Sequence, residues 1–254
     1  MRKIILKSDF YQCRNSLNCT MSLAGLFEIN NWNFRSESML VELPEKDLEK
    51  LLAHKTDESY KKGEIIFRQG GFPSGVFYIR SGKVKKYRID KQGGEQIIYV
   101  ANAGELIGYH AVLAEDRYPD SAATLESCKI SFIPREDFLE CVKQSDLLTK
   151  SLLKILSHEF AVMVNNISLI GQRSVKERLA TQLIVLREKY KSSKQTGSPI
   201  EIDIGREDLA NLVGSTRENI VRILSEFKDR KILQTKGRKI IVLNVRKLIQ
   251  IANC

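Results

Sequence analysis

The stretch that most limits what this chain can fold into is Ile204 to Val221, reading IGREDLANLVGSTRENIV. From Arg206 to Val213 the apolar residues Leu209, Leu212 and Val213 fall on one side at helical spacing. Gly214 follows, and a residue without Cβ takes φ > 0 freely, so it suits a sharp exit from a helix. Ser215 or Thr216 then offers an N-cap, and Glu218, three residues after Ser215, fits a capping box. The second helix has Ile220, Ile223, Leu224 and Phe227 to bury, and leaves Arg217, Glu218, Val221, Arg222 and Ser225 outside. Two amphipathic helices about a glycine turn have the form of a helix-turn-helix.

Any pair of amphipathic helices could share that form, so what surrounds it decides. After Lys231 the chain reads ILQTKGRKIIVLNV, two short apolar strands around a basic Lys236-Gly237-Arg238-Lys239 turn. Such a wing can hold a phosphate while the helix reaches base edges. The net charge of +10 is uneven: residues 171–254 hold 18 Lys and Arg against 9 Asp and Glu, whereas the first 170 hold 23 against 22. Nearly all the excess cation therefore accompanies the helix-turn-helix, where counterion release favours double-stranded DNA as partner. The expected DNA contacts are Ser215, Thr216, Arg217, Glu218, Asn219 and Arg222 on the helix, with Lys236 and Arg238 on the wing. A guanidinium can donate twice to guanine O6 and N7, and a carboxylate can accept from cytosine N4.

Upstream, Leu48, Leu51 and Leu52 supply the buried stripe of a helix opened by Pro44. Between residues 60 and 134, the apolar runs IIF, VFYI, IIYV and ISFI alternate with glycine turns, the pattern of an antiparallel jelly roll or barrel. Such a barrel is a natural container for one ligand. A long proline-free helix follows, with Leu152, Leu156, Phe160, Met163, Ile167 and Ile170 on one stripe. Leu148, Ile155, Val162 and Leu169 recur every seven residues beside it. That apolar face is too wide for one flank, so part of it is expected on the barrel and part on a second copy of the chain. The fold class expected is α+β. Residues 1–37 form an extension, 38–144 a β-roll, 145–174 a dimerisation helix and 175–254 a winged helix-turn-helix domain.

With 43% hydrophobic residues the chain has enough for two cores. It has no 18-residue apolar run, and MRKIILKSDF lacks the sustained apolar region of a signal peptide. A cytoplasmic protein away from membranes is expected, with its five cysteines mostly reduced.

In this order the chain resembles the CRP/FNR transcription regulators, from about Leu43 to Ile251. The likeness rests on KKGEIIFRQGGFPSGVFYIRSGKVKKY, AGELIGYHAVL, the long helix and GREDLANLVGSTRENIVRILSEFKDRKIL. The resemblance implies a cyclic-nucleotide-binding-type sensor roll, a homodimer on a palindromic operator, and RNA polymerase as a further partner. It also implies that Arg217, Glu218 and Arg222 read the half-site.

The resemblance leaves the effector unknown. Cyclic-AMP-binding members hold ribose with a glutamate in a Gly-Glu-Leu turn, matched by Gly104-Glu105-Leu106. They hold phosphate with an Arg-Ser pair, which here becomes Asp120-Ser121. A carboxylate in the phosphate position argues against the usual nucleotide, unless Arg117 offsets it from the same loop. Iron–sulfur members use three N-terminal cysteines and one in the barrel. Cys13 and Cys19 have the right separation for two of the four, but Phe10 and Ser131 stand near the other positions, with Cys128 three residues early. Haem-binding members place an axial histidine where His110 lies. Neither group is expected to bind. The three histidines are scattered, and no nucleophile–base pair or phosphate loop stands out, so an enzyme is not expected. Two alternatives stay open: a cyclic-nucleotide-binding module acting on a protein partner, and a redox- or iron–sulfur-sensing member of the family.

Overall fold

The computed structural model describes residues 27–34, 40, 43–191 and 199–252; Cys13, Cys19 and most of the N-terminal extension lie outside that set. Two units divide the chain, Phe34–Phe160 and residues 161–252 together with residues 27–33. The division falls within the long helix, which both units share.

The first unit begins with α1 (Glu45–Leu51), entered through Pro44 at φ −56°. Eight strands follow: β1 (Thr56–Tyr60), β2 (Ile65–Phe67), β3 (Gly75–Ser81), β4 (Lys83–Ile89), β5 (Glu95–Asn102), β6 (Leu106–Ile107), β7 (Ser121–Thr124) and β8 (Cys128–Pro134). They form two four-stranded antiparallel sheets, ordered β1-β8-β3-β6 and β2-β7-β4-β5. The apolar runs foreseen at β2, β3, β5 and β8 are all strands. Of the other four, β1 (TDESY) and β7 (SAAT) carry polar or small residues, so local propensity is weak and pairing with distant partners makes them strands, while β4 is mixed (KVKKYRI) and β6 only two residues long. A short helix, α2 (Tyr109–Ala114), starts after Gly108, where the sequence suggested only a turn.

After α3 (Arg135–Gln144) comes α4, which runs from Asp146 to Gln172. Leu148, Leu152 and Ile155 of α4 join Leu51, Val76, Tyr78, Leu106, Tyr109, Val112, Ile133 and Phe138 in one core. Further along, Val162 and Leu169 are buried as well. The neighbouring stripe is bare: Phe160 is 71% exposed and Ile167 68%, with Met163, Val164 and Ile170 also open to solvent.

The second unit contains α5 (Val175–Tyr190), β9 (Glu201–Asp203), α6 (Arg206–Val213), α7 (Arg217–Asp229), β10 (Leu233–Lys236), β11 (Lys239–Val242) and α8 (Val245–Ala252). Ser174 ends the long helix by capping the next one. Its side chain accepts from the Glu177 N–H, and the Glu177 carboxylate accepts from the Ser174 N–H in return. Strands β10 and β11 make the wing, with β9 added to form a three-stranded antiparallel sheet. Helix α8 packs on α5 and was not foreseen from sequence.

Candidate nucleic-acid interface

Helix α6 ends at Gly214, which sits at φ +71° and turns the chain into α7. Arg178, on α5, holds this turn. Its Nε donates to the Val213 carbonyl at 3.0 Å and its Nη2 to the Gly214 carbonyl at 2.9 Å. A cation at the negative end of a helix satisfies carbonyls that have no partner within the helix. No local pattern pointed to Arg178, because its partners are brought to it only by packing.

The cap of α7 is Thr216, whose side chain accepts from the Asn219 N–H. The capping box expected between Ser215 and Glu218 does not form. With Thr216 as N-cap the third helical residue is Asn219, so Glu218 falls one place too early to reach back. Ser215 instead accepts from Asn219 Nδ2 at 3.0 Å, and Asn219 Oδ1 accepts from Arg222 Nη2 at 2.7 Å.

Ile220, Ile223, Leu224 and Phe227 are buried on one side of α7, and Arg217, Glu218 and Arg222 are exposed on the other. Val221 stands among them 46% exposed. The helical period of the sequence had already set it on that outer face.

On the wing, Gly237 takes φ +57° and Lys236 is exposed. Arg206, at the start of α6, donates to the Gly237 and Arg238 carbonyls, both at 3.1 Å, and so ties the turn to the helix pair. Arg238 pairs with Asp203 at 3.1 Å, and Lys239 pairs with Glu201. Both pairs are about half exposed, so solvent screens them and a phosphate can displace the carboxylate.

The effector site suggested by sequence is a buried polar cluster inside the roll. Gly104, at φ +94°, shapes the turn; Glu105 is buried and its Oε1 accepts from the Asn102 N–H at 2.8 Å; Leu106 lies in the core. Ser121 Oγ accepts from the Gln69 N–H at 2.9 Å. Asp120 forms an ion pair with Lys86 at 2.8 Å, both side chains being under a tenth exposed. Arg117 does not offset Asp120 as the sequence suggested. It donates to the Gly70 carbonyl at 2.7 Å and lies over the Phe72 ring. Lys86 takes that role, across the sheet. Tyr99 reports on the cluster: its phenol is pushed well above its usual range by burial, then by Glu105, Glu159, Tyr109 and Asp120. A phosphate here would face the Asp120 carboxylate with Lys86 already committed, so these residues do not fit a cyclic nucleotide.

His110, the position expected for a haem ligand, bonds the long helix instead. Its Nε2 lies 2.7 Å from Glu159 Oε2, and the Tyr109 hydroxyl donates to Glu159 Oε1 at 2.7 Å. Burial would raise the Glu159 carboxyl, but His110, Tyr109 and Lys86 hold it below its usual value. Cys128 is a buried thiol that donates to backbone carbonyls, and burial raises its pKa. Ser131 donates to Asp57 at 2.5 Å. Cys141 is likewise buried, its pKa pushed up to about 11 by burial and then by Asp47. Among the described residues no group of three or more His, Cys, Asp or Glu could hold a metal, and no helix is long and apolar enough to cross a membrane.

Comparison with known proteins agrees with this layout. Residues 57–145 match the cyclic nucleotide-binding domain, and residues 177–251 match the Crp-like helix-turn-helix domain. The fumarate and nitrate reduction regulatory protein of Vibrio cholerae is 31% identical over 192 residues, 76% of each chain. The transcriptional activator protein anr of Pseudomonas aeruginosa is 29% identical, over 76% of this chain and 78% of that one. Among solved structures, the c-di-GMP responsive global regulator CLP of Xanthomonas campestris shares the fold. Its TM-score is 0.68 at 21% identity, covering 78% of this chain and 99% of that one. With a sensor roll, a long helix and a winged helix-turn-helix in the same order as these relatives, the chain belongs to the CRP/FNR family of transcription regulators.

Proposed function

We propose that the protein acts in the cytoplasm as a homodimer, reads a palindromic operator with one α7 per half-site, and works with RNA polymerase under control of an effector acting on the roll. The observation that carries this reading is the outer face of α7, where Arg217, Glu218, Val221 and Arg222 are exposed while the opposite face is core. Arg217 and Arg222 supply paired donors for guanine, Glu218 an acceptor for cytosine N4, and Val221 an apolar contact for a thymine methyl. Lys236 and Arg238 hold phosphates. The bare stripe of α4 is the face for the second copy, since a soluble monomer rarely leaves so continuous an apolar strip in water.

The interior pair of Lys86 and Asp120 favours an effector other than a cyclic nucleotide. Kinship with fumarate and nitrate reduction regulators favours a signal tied to respiratory state.

A titration of the dimer against a duplex selected from a random library tests the reading. Arg222→Ala should weaken binding by about 1–3 kcal/mol and relax preference at one base pair per half-site. Val221→Ala should cost least where thymine is replaced by uracil, which has no methyl to lose. Unchanged affinity and selectivity in Arg222→Ala would sink the proposed role of α7.

A further inference from the structure

Asn219 stands with the expected base readers, yet its contacts give it another task. Its side-chain amide is engaged at both ends, along the helix: Nδ2 donates one turn back to Ser215 Oγ at 3.0 Å, and Oδ1 accepts from Arg222 Nη2 at 2.7 Å, three residues on. The direction of the amide is settled by chemistry. Arginine has donors only, so the carbonyl end must face Arg222, and the NH2 end is left for Ser215. Asn219 is also half-buried, whereas Arg217, Glu218 and Arg222 are exposed. An asparagine that reads adenine must present Oδ1 and Nδ2 together to N6 and N7. Here one lone pair of Oδ1 and one hydrogen of Nδ2 are already engaged along the helix, which ties the plane of the amide to Ser215 and Arg222.

We propose that Asn219 is a positioning residue: it braces Arg222 in the rotamer that meets a base, and does not itself read sequence. This rests on the reading of α7 given above. Arg222 keeps the rest of its guanidinium for guanine, because one Nη2 hydrogen serves Asn219 and four N–H donors remain. A long side chain held in place before binding loses less freedom on binding. Ordering one such side chain costs the equivalent of about 2- to 12-fold in affinity. The brace also has an anchor, since Ser215 lies in the turn that Arg178 fixes through the Gly214 carbonyl.

The test uses the full chain and a duplex selected from a random-sequence library by the wild-type protein. Affinities are measured for that duplex, for each single-base-pair variant, and for an unrelated duplex of equal length. The proteins are wild type, Asn219→Ala, Ser215→Ala, Arg222→Ala and the Asn219→Ala/Arg222→Ala double variant. Asn219→Ala keeps the backbone N–H that Thr216 caps, so α7 should remain folded. The brace predicts that Asn219→Ala loses about 2- to 12-fold on the selected duplex. Selectivity should fall at the same base pair that Arg222→Ala relaxes, with the unrelated duplex bound as before. The double variant should bind no worse than Arg222→Ala alone, because the brace has nothing left to hold. Ser215→Ala should show a smaller loss at that same pair. Losses that add in the double variant, selectivity lost at a pair that Arg222→Ala leaves intact, or no loss at all would each overturn the brace. If Arg222→Ala itself relaxes no base pair, the role of α7 falls and the brace falls with it, which separates the two failures.

Discussion

Lys86 and Asp120 lie 2.8 Å apart inside the sensor roll, and each leaves the other a buried charge if removed alone. Asp120→Ala should therefore destabilise the protein by about 3–5 kcal/mol, because Lys86 is stranded. The double change Lys86→Met/Asp120→Leu removes both charges and should recover most of that loss. Denaturant unfolding of the three proteins checks this, and a double variant as unstable as the single would show that packing, not charge, governs the site. The carboxylate at 120 was legible in sequence, as a residue of the wrong sign for a phosphate. Its partner was not, because only the pairing of β4 with β7, which sets Lys86 opposite Ala122, brings the two together. Alternation did hint at it: Lys86 shares the inward face of β4 with Val84.

At the scale of the element, α4 carries two apolar stripes with different fates. Its seven-residue set, Leu148, Ile155, Val162 and Leu169, is buried within the chain, and Phe160, Met163, Ile167 and Ile170 remain outside. Both stripes were visible in the spacing, but which one faces the chain's own core depends on packing. Glu159 marks the inward side, held by Tyr109 and His110. Ile167→Asp should leave helix content unchanged and weaken self-association. Losing two buried isoleucines per dimer at about 1.5–3 kcal/mol each raises the dimer dissociation constant roughly 100-fold or more. Analytical ultracentrifugation over a range of concentrations reads that shift, and an unchanged constant would place the dimer face elsewhere.

For the whole molecule, the basic excess predicts binding that falls steeply with salt. Each phosphate neutralised contributes about −0.9 to the slope of log K against log salt. Lys236→Ala removes one contact from each half of the dimer and should make the slope shallower by about 2, on operator and unrelated DNA alike. Arg238→Ala should change it less, since Arg238 must first leave Asp203. A slope that does not move in Lys236→Ala would take the wing off the phosphate backbone.

What the sequence determined by itself is the order of parts and the helix-turn-helix. Helical period, a glycine at a left-handed turn, and a concentration of basic charge are all written within short windows of chain. The roll was readable as a class from its glycine turns, though half its strands were not, since TDESY and SAAT have no pattern of their own. Only the tertiary structure decided the ion pair of Lys86 and Asp120, the bond of His110 to the long helix, the latch of Arg178 and the brace of Asn219 on Arg222. Each depends on distances of about 3 Å between particular atoms, and those follow from strand register, helix packing and the choice of cap, which no local pattern specifies.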